Sequence, residues 1–190
     1  MTVALTACSS VHNNEEATSA ASTTGNEFTQ FKNDRPEAKS AVIGDESTDL
    51  VFNSIAGIYD KTIKLTDSYI TKVELAGYNQ LTKLAETDPE AYQAEYAKLP
   101  EAEKKEYDEF LNTSSEMTKQ SLGLLVEAYK LQKSVQQIDI KALVSNPMKL
   151  PSAMKGASLA GDQISFTVDA LSMLKKYHGI YNNAISYAGR

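Results

Sequence analysis

The chain has 190 residues, 42% hydrophobic and 23% charged, with one cysteine and no tryptophan. That length fits one main domain burying roughly two-thirds of its unfolded surface. A formal charge of −6 and a pI near 5 argue against a nucleic-acid surface, which needs clustered Lys and Arg with few competing carboxylates, and a lone cysteine excludes an internal disulfide. The longest apolar runs fall far short of the ~20 residues that cross a bilayer.

Near the start, Leu5-Thr6-Ala7-Cys8 is followed by Ser9-Ser10. Small side chains before a cut let a peptidase reach the backbone, and a cysteine thiol is nucleophilic enough to take up a diacylglycerol group. The segment resembles the lipobox of bacterial lipoproteins, and the chain's one cysteine stands where that motif needs it. The resemblance covers about ten residues. It implies that Cys8 is the lipidation site and the first residue of the mature chain. Residues 1–7 are then the remnant of a signal peptide whose basic and apolar parts are expected upstream of Met1. Serine rather than aspartate at position 9 implies export to the outer membrane, facing the periplasm or the cell surface. Three acyl chains, as the family carries, anchor firmly where one chain binds only marginally.

From Ser9 to about Asp45 the chain is Ser, Thr, Asn, Ala and Glu with few large apolar residues, the composition of a solvated tether. Residues 8–45 are therefore predicted to be a lipidated, flexible tether, with a reach of about 30 Å for roughly 36 residues. Its aromatics, Phe28 and Phe31, either dock on the body or interrupt the tether.

The body, 46–190, has a helical period. Phe52, Tyr59, Thr66 and Val73 recur every seven residues, and Val51, Ile55, Ile58, Thr62, Leu65 and Tyr69 form a second stripe beside them. So wide an apolar face touches two neighbours, as in a bundle. The spacing predicts a helix capped at Ser47 or Thr48 and running to about Glu86, close to 60 Å long. Asp88-Pro89-Glu90 is a helix restart, with a capping acid followed by proline at the first helical position. Leu99-Pro100-Glu101 repeats the device, so Pro89 to Lys98 is read as its own short helix. A second long helix follows to about Gln137, with Phe110, Met117, Leu124 and Leu131 on one seven-residue repeat and Ser114, Ser121 and Ala128 on another. A short helical piece is expected around Ile138 to Val144. Pro147, Pro151, Gly156 and Gly161 predict an interruption, and a third long helix is predicted from about Asp162. The fold class is all-α: an up-and-down bundle of three long helices plus short ones, behind an N-terminal tether.

Motifs for catalysis, phosphate binding and zinc are not found in the sequence. The body holds one histidine and no cysteine, which removes most nucleophile–base pairs and zinc sites. His178 shares a stripe with Leu171 and Ile185 and is read as a core or interface histidine with a satisfied ring nitrogen. No cofactor, no metal and no enzymatic activity are expected.

Charge is more informative. Residues 86–109 hold nine acids against three lysines, whereas residues 130–190 hold eight cations against three acids. At this acidic tip Tyr92, Tyr96 and Tyr107 alternate with Glu101, Glu103, Glu106 and Asp108. Tyrosine supplies large contact area at little entropic cost in interfaces, so these seven residues form a candidate partner-binding surface. The other readings of the tip are a solvated elbow whose tyrosines pack on the bundle end, and a weak divalent-cation site. The segment Pro147 to Lys155 mixes Met with Lys, a composition that adapts to partners or grazes a membrane.

The expected function is a lipid-anchored, non-enzymatic helical module of the bacterial cell envelope. Its expected partners are the membrane, through the anchor, and an envelope protein bound in an adaptor or immunity-type role. The alternative is a carrier of a small hydrophobic molecule or lipid between its helices.

Overall fold

The computed structural model describes residues 31–73, 77–143 and 147–189. Among them all regular structure is helical: α1 (Glu46–Lys72), α2 (Asn79–Thr87), α3 (Pro89–Lys98), α4 (Glu101–Gln136), α5 (Ile140–Leu143), a 3-10 turn (Pro147–Lys149) and α6 (Leu150–Tyr187). The three long helices expected from the sequence are present, and none of the described helices is long and apolar enough to cross a membrane.

α1 begins where Asp45 accepts a hydrogen bond from the Thr48 amide at 2.9 Å, so the cap lies two residues ahead of Ser47. Both predicted stripes face inward: Phe52, Tyr59, Thr66 and Val73 are buried, as are Ile55, Ile58, Thr62, Leu65 and Tyr69, with Val51 half-buried. The predicted continuation to Glu86 is not made. The helix stops at Lys72, Gly77 adopts a φ of +79°, and the chain restarts as α2 at Asn79. The left-handed glycine, which a residue with a Cβ resists, redirects the chain over the end of the bundle.

α3 and α4 start as predicted. Asp88 accepts from the Ala91 amide at 3.0 Å with Pro89 in the first turn, and Pro100 precedes a helix of 36 residues. The small residues on α4, Ser114, Ser121 and Ala128, are fully buried. The Ser114 and Thr118 hydroxyls donate to carbonyls one turn back, Phe110 O at 2.7 Å and Ser114 O at 2.9 Å, so these two hydroxyls enter the core with their donors satisfied.

α6 corrects the expected interruption, since it begins at Leu150 rather than near Asp162 and runs unbroken for 38 residues. Pro151 lies in its first turn, where a missing amide costs nothing. Farther along, Ala153 and Ala160 are buried, and a Cβ on Gly156 would stand 3.2 Å from the Ala41 Cβ. This smooth face receives a backbone rather than breaking the helix.

Cross-helix contacts fix the topology. Tyr59 meets Phe166 edge-on at 5.6 Å, and the Tyr69 and Tyr181 hydroxyls share a hydrogen bond at 2.6 Å, so α1 and α6 run parallel. Ser115 bonds Asn182 and Thr118 bonds His178, so α4 runs antiparallel to α6. The result is an up-down-up bundle, with α2 and α3 over one end, the tip, and α5 and the 3-10 turn at the other, the base.

The backbone on α6 belongs to residues 31–45, predicted as tether. Phe31 packs edge-on against Phe166 at 5.4 Å, Arg35 forks onto Asp67, and the Tyr59 hydroxyl donates to Pro36 O at 2.6 Å. The Gln163 amide donates to Glu37 O at 2.7 Å and Lys39 O at 2.8 Å, Ser40 bonds Asn53, and Ile43 N donates to Asp49 at 2.7 Å. This strap lies between α1 and α6, antiparallel to α1. From Phe31 onward the chain is therefore part of the body, not a tether ending at 45. Cys8 and Phe28 lie outside the described residues.

Candidate functional site

The tip is assembled by two proline restarts that turn the chain twice within a dozen residues. α2 leads into Asp88, the cap of α3, and Leu99-Pro100 leads into α4, whose first turn carries Glu101 and Glu103. Acids there complement the positive end of the helix dipole, so part of the acidity has a structural reason.

Beneath the carboxylates lies a continuous aromatic layer. Tyr92 and Tyr107 are both 0% exposed. The Tyr92 hydroxyl donates to Ala184 O at 2.9 Å, which ties α3 to the last turn of α6. Thr82 donates to Tyr78 O at 3.0 Å, so the Tyr107 hydroxyl, 3.1 Å from Thr82 Oγ1, donates to Thr82 in turn. Burial raises the Tyr107 phenol above its ordinary value, and hydrogen bonds with Thr82 and Tyr92 offset part of that rise. Tyr96 stacks on Tyr92 at 6.0 Å and donates to Asp108 Oδ1 at 3.0 Å. Tyr78 closes the layer, 5.2 Å from the Tyr107 ring and 5.3 Å from Phe110.

The structure thus divides the seven residues singled out in the sequence. Glu101, Glu103 and Glu106 are exposed, whereas Tyr96 and Asp108 are half-buried and bonded to each other. Tyr92 and Tyr107 are inside and offer a partner no surface, because their phenols are spent on internal acceptors. Here the tyrosines pack on the bundle end while the carboxylates face water. Glu86, Asp88, Glu90, Glu95 and Glu109 are exposed as well. Lys98 pairs with Glu95 at 2.7 Å and Lys104 with Glu101 at 3.1 Å. With nine acids against three lysines between residues 86 and 109, the surface field stays negative.

Sequence reasoning missed Tyr78, because the predicted long helix ran through it. Its hydroxyl lies 3.4 Å from Glu106 Oε2. Desolvation raises the Tyr78 phenol above its ordinary value, helped by the Glu106 charge and hydrogen bond and by the Glu103 charge. The signal was Gly77, a residue able to turn the chain just before it.

His178 is half-buried between two partners, Thr118 Oγ1 at 3.0 Å from Nδ1 and Asn182 Nδ2 at 3.1 Å from Nε2. Thr118 already donates to Ser114 O, so His178 Nδ1 donates to Thr118 and Nε2 accepts from Asn182. This is the satisfied histidine expected. Among the described residues no group of three His, Cys, Asp or Glu side chains is placed to hold a metal ion. A depression of about 570 Å³ lies between Phe31 and Phe166, Met173 and Lys176. It opens to solvent on the flank of α6.

Comparison with protein-family models, with curated proteins and with solved structures gives no match. The class is therefore defined by the chain's own architecture: an all-α, up-and-down three-helix bundle with a strapped N-terminal segment.

Proposed function

We propose that the protein is a non-enzymatic, lipid-anchored binding module of the bacterial envelope, held at the outer membrane through Cys8 and capturing a cationic protein partner at its acidic tip. The observation that carries the binding role is the exposure of Glu101, Glu103 and Glu106 around the start of α4, beside a tyrosine layer whose hydroxyls are tied internally. Preorganised charge of one sign speeds encounter with a partner of the other and selects among candidates. An adaptor for a basic envelope protein and an immunity-type inhibitor of a cationic toxin both use such a surface. The lipobox residues around Cys8 support the anchoring role.

The test of binding is Glu101→Lys, Glu103→Lys and Glu106→Lys together, leaving Asp108 to Tyr96. Crosslinking and pull-down from envelope extracts are expected to lose the partner at least tenfold, with helicity by circular dichroism unchanged. Capture that survives at low salt removes the tip from the interface. The anchor has a separate test, since Cys8→Ser in the full gene is expected to release the protein from membranes. Unchanged membrane sedimentation overturns it.

A further inference from the structure

The base of the bundle carries an exposed apolar and basic surface that the proposed binding role does not use. Met148 is 88% exposed on the 3-10 turn and Met154 is 50% exposed in the first turns of α6. Lys141, Lys149 and Lys155 are exposed around them, and Lys130 and Lys133 are exposed where α4 ends at the same level. Between residues 128 and 160 these five lysines face one acid, Asp139, whose carboxylate accepts from the Lys141 amide at 3.1 Å. The first turn of α6 has no acid to offset its dipole. On the α1 side of the base, Asp45 is engaged by the Thr48 amide and Asp49 by the amides of Ile43 and Gly44, while Glu46 in the first turn of α1 is exposed.

We infer that this base is a membrane-contact surface for anionic phospholipid, with Met148 and Met154 entering the interface and Lys141, Lys149 and Lys155 meeting headgroup phosphates. Unbranched Met adapts to an irregular surface, Lys extends its ammonium along an apolar stem, and basic residues near an anionic leaflet act almost additively. The arrangement also orients the molecule. α4 spans about 54 Å at 1.5 Å per residue, so a lipid surface that attracts the base repels the acidic tip and holds it outward. One supporting argument rests on the lipid anchor proposed above. Phe31 sits opposite Phe166, 16 residues into α6, or about 24 Å from the base. An anchor at Cys8 joins the body through Phe31, on the same flank of α6 that leads down to the base.

The test uses the full chain with Cys8→Ser, so that lipidation plays no part, in flotation with vesicles of phosphatidylcholine alone or mixed with phosphatidylglycerol. Binding to the anionic vesicles only, weakening as salt rises, is expected. Lys141→Glu, Lys149→Glu and Lys155→Glu together are expected to reduce it on the order of 100-fold, and Met148→Asp with Met154→Asp to reduce it further, with unchanged circular dichroism. Reversing Glu101, Glu103 and Glu106 is expected not to weaken it. No flotation with anionic vesicles, or flotation indifferent to the base variants, overturns the inference. So does a dimer in sedimentation that Met148→Asp and Met154→Asp convert to monomer, which assigns the base to a second copy. Partner capture and Cys8 lipidation are read in separate assays, so either can fail without this result.

Discussion

Gln163 shows how one side chain decides whether the strap belongs to the body. It is 1% exposed in α6, and its amide nitrogen donates to the carbonyls of Glu37 and Lys39. Removing the amide leaves two carbonyls without their donor, and an unmet buried polar group costs more than the bond itself contributed. Gln163→Leu is therefore expected to lower stability by about 2 kcal/mol in urea unfolding and to speed proteolytic cleavage within residues 34–45. Cleavage at the wild-type rate would place the strap's hold elsewhere. Asp67 adds a pH-dependent hold. The hydrogen bond from Arg35 is the leading cause that keeps its carboxyl below the ordinary value, with burial opposing it and the charges of Arg35 and Lys32 assisting. Because the folded-state value is depressed, the stabilisation is complete above about pH 4, the unfolded carboxylate range, and is lost as pH falls through the folded value. Asp67→Asn is expected to be less stable than wild type at neutral pH, with the gap closing in acid. A gap of equal size in both conditions would show that the ion pair is not its source.

At the scale of elements, apolar residues at fixed intervals were readable, whereas features without such a period were not. Phe52, Tyr59 and Thr66 on α1, Val73 just past its end and Leu171 on α6 are buried as their spacing required, while His178 and Ile185 on the same α6 stripe are half-buried, and both proline restarts fall in place. The end of α1 was hidden because Ala56, Ile63, Ile70, Gly77 and Leu84 also recur every seven residues, while the backbone turns at Gly77. The start of α6 was hidden because Pro151, Gly156 and Gly161 read as breakers, although the proline sits where helices accept it. The strap was hidden because much of its hold comes through its own backbone, the carbonyls of Pro36, Glu37 and Lys39 and the amides of Ile43 and Gly44, which leave no trace in composition. At the tip the charges were legible, but which tyrosines face inward depended on acceptors as distant as Ala184. The α6 glycines give a paired test. A Cβ on Gly161 meets nothing within 4 Å, so Gly161→Ala is expected to raise stability by about 0.5–1 kcal/mol through helix propensity. Gly156→Ala presses on Ala41 and is expected to gain less or to lose, as thermal melts will show. Equal gains would mean that Ala41 yields freely.

For the whole molecule, one apolar cluster runs from Phe52 and Ile55 through Leu111 and Leu171 to Tyr92 and Tyr107. Tip and body therefore share a core, and the proline-linked helices of the tip are not an appendage. Unfolding followed by far-ultraviolet circular dichroism, which reports the long helices, is expected to coincide with unfolding followed by tyrosine emission, weighted toward the tip. An early emission change would mark the tip as a separate unit. Such unity suits the binding role proposed for the tip.

The strap's direction has a mechanical consequence. Its attachments at Asp67, Tyr59, Gln163, Asn53 and Asp49 follow one another along the segment. A pull on Phe31 toward the base loads them in series, so they peel singly at low force instead of sharing the load. Each freed residue adds about 3.4 Å of slack. The fifteen residues from Phe31 to Asp45 store about 50 Å of extra leash, close to the length of the bundle itself, to be drawn out before any long helix feels the strain.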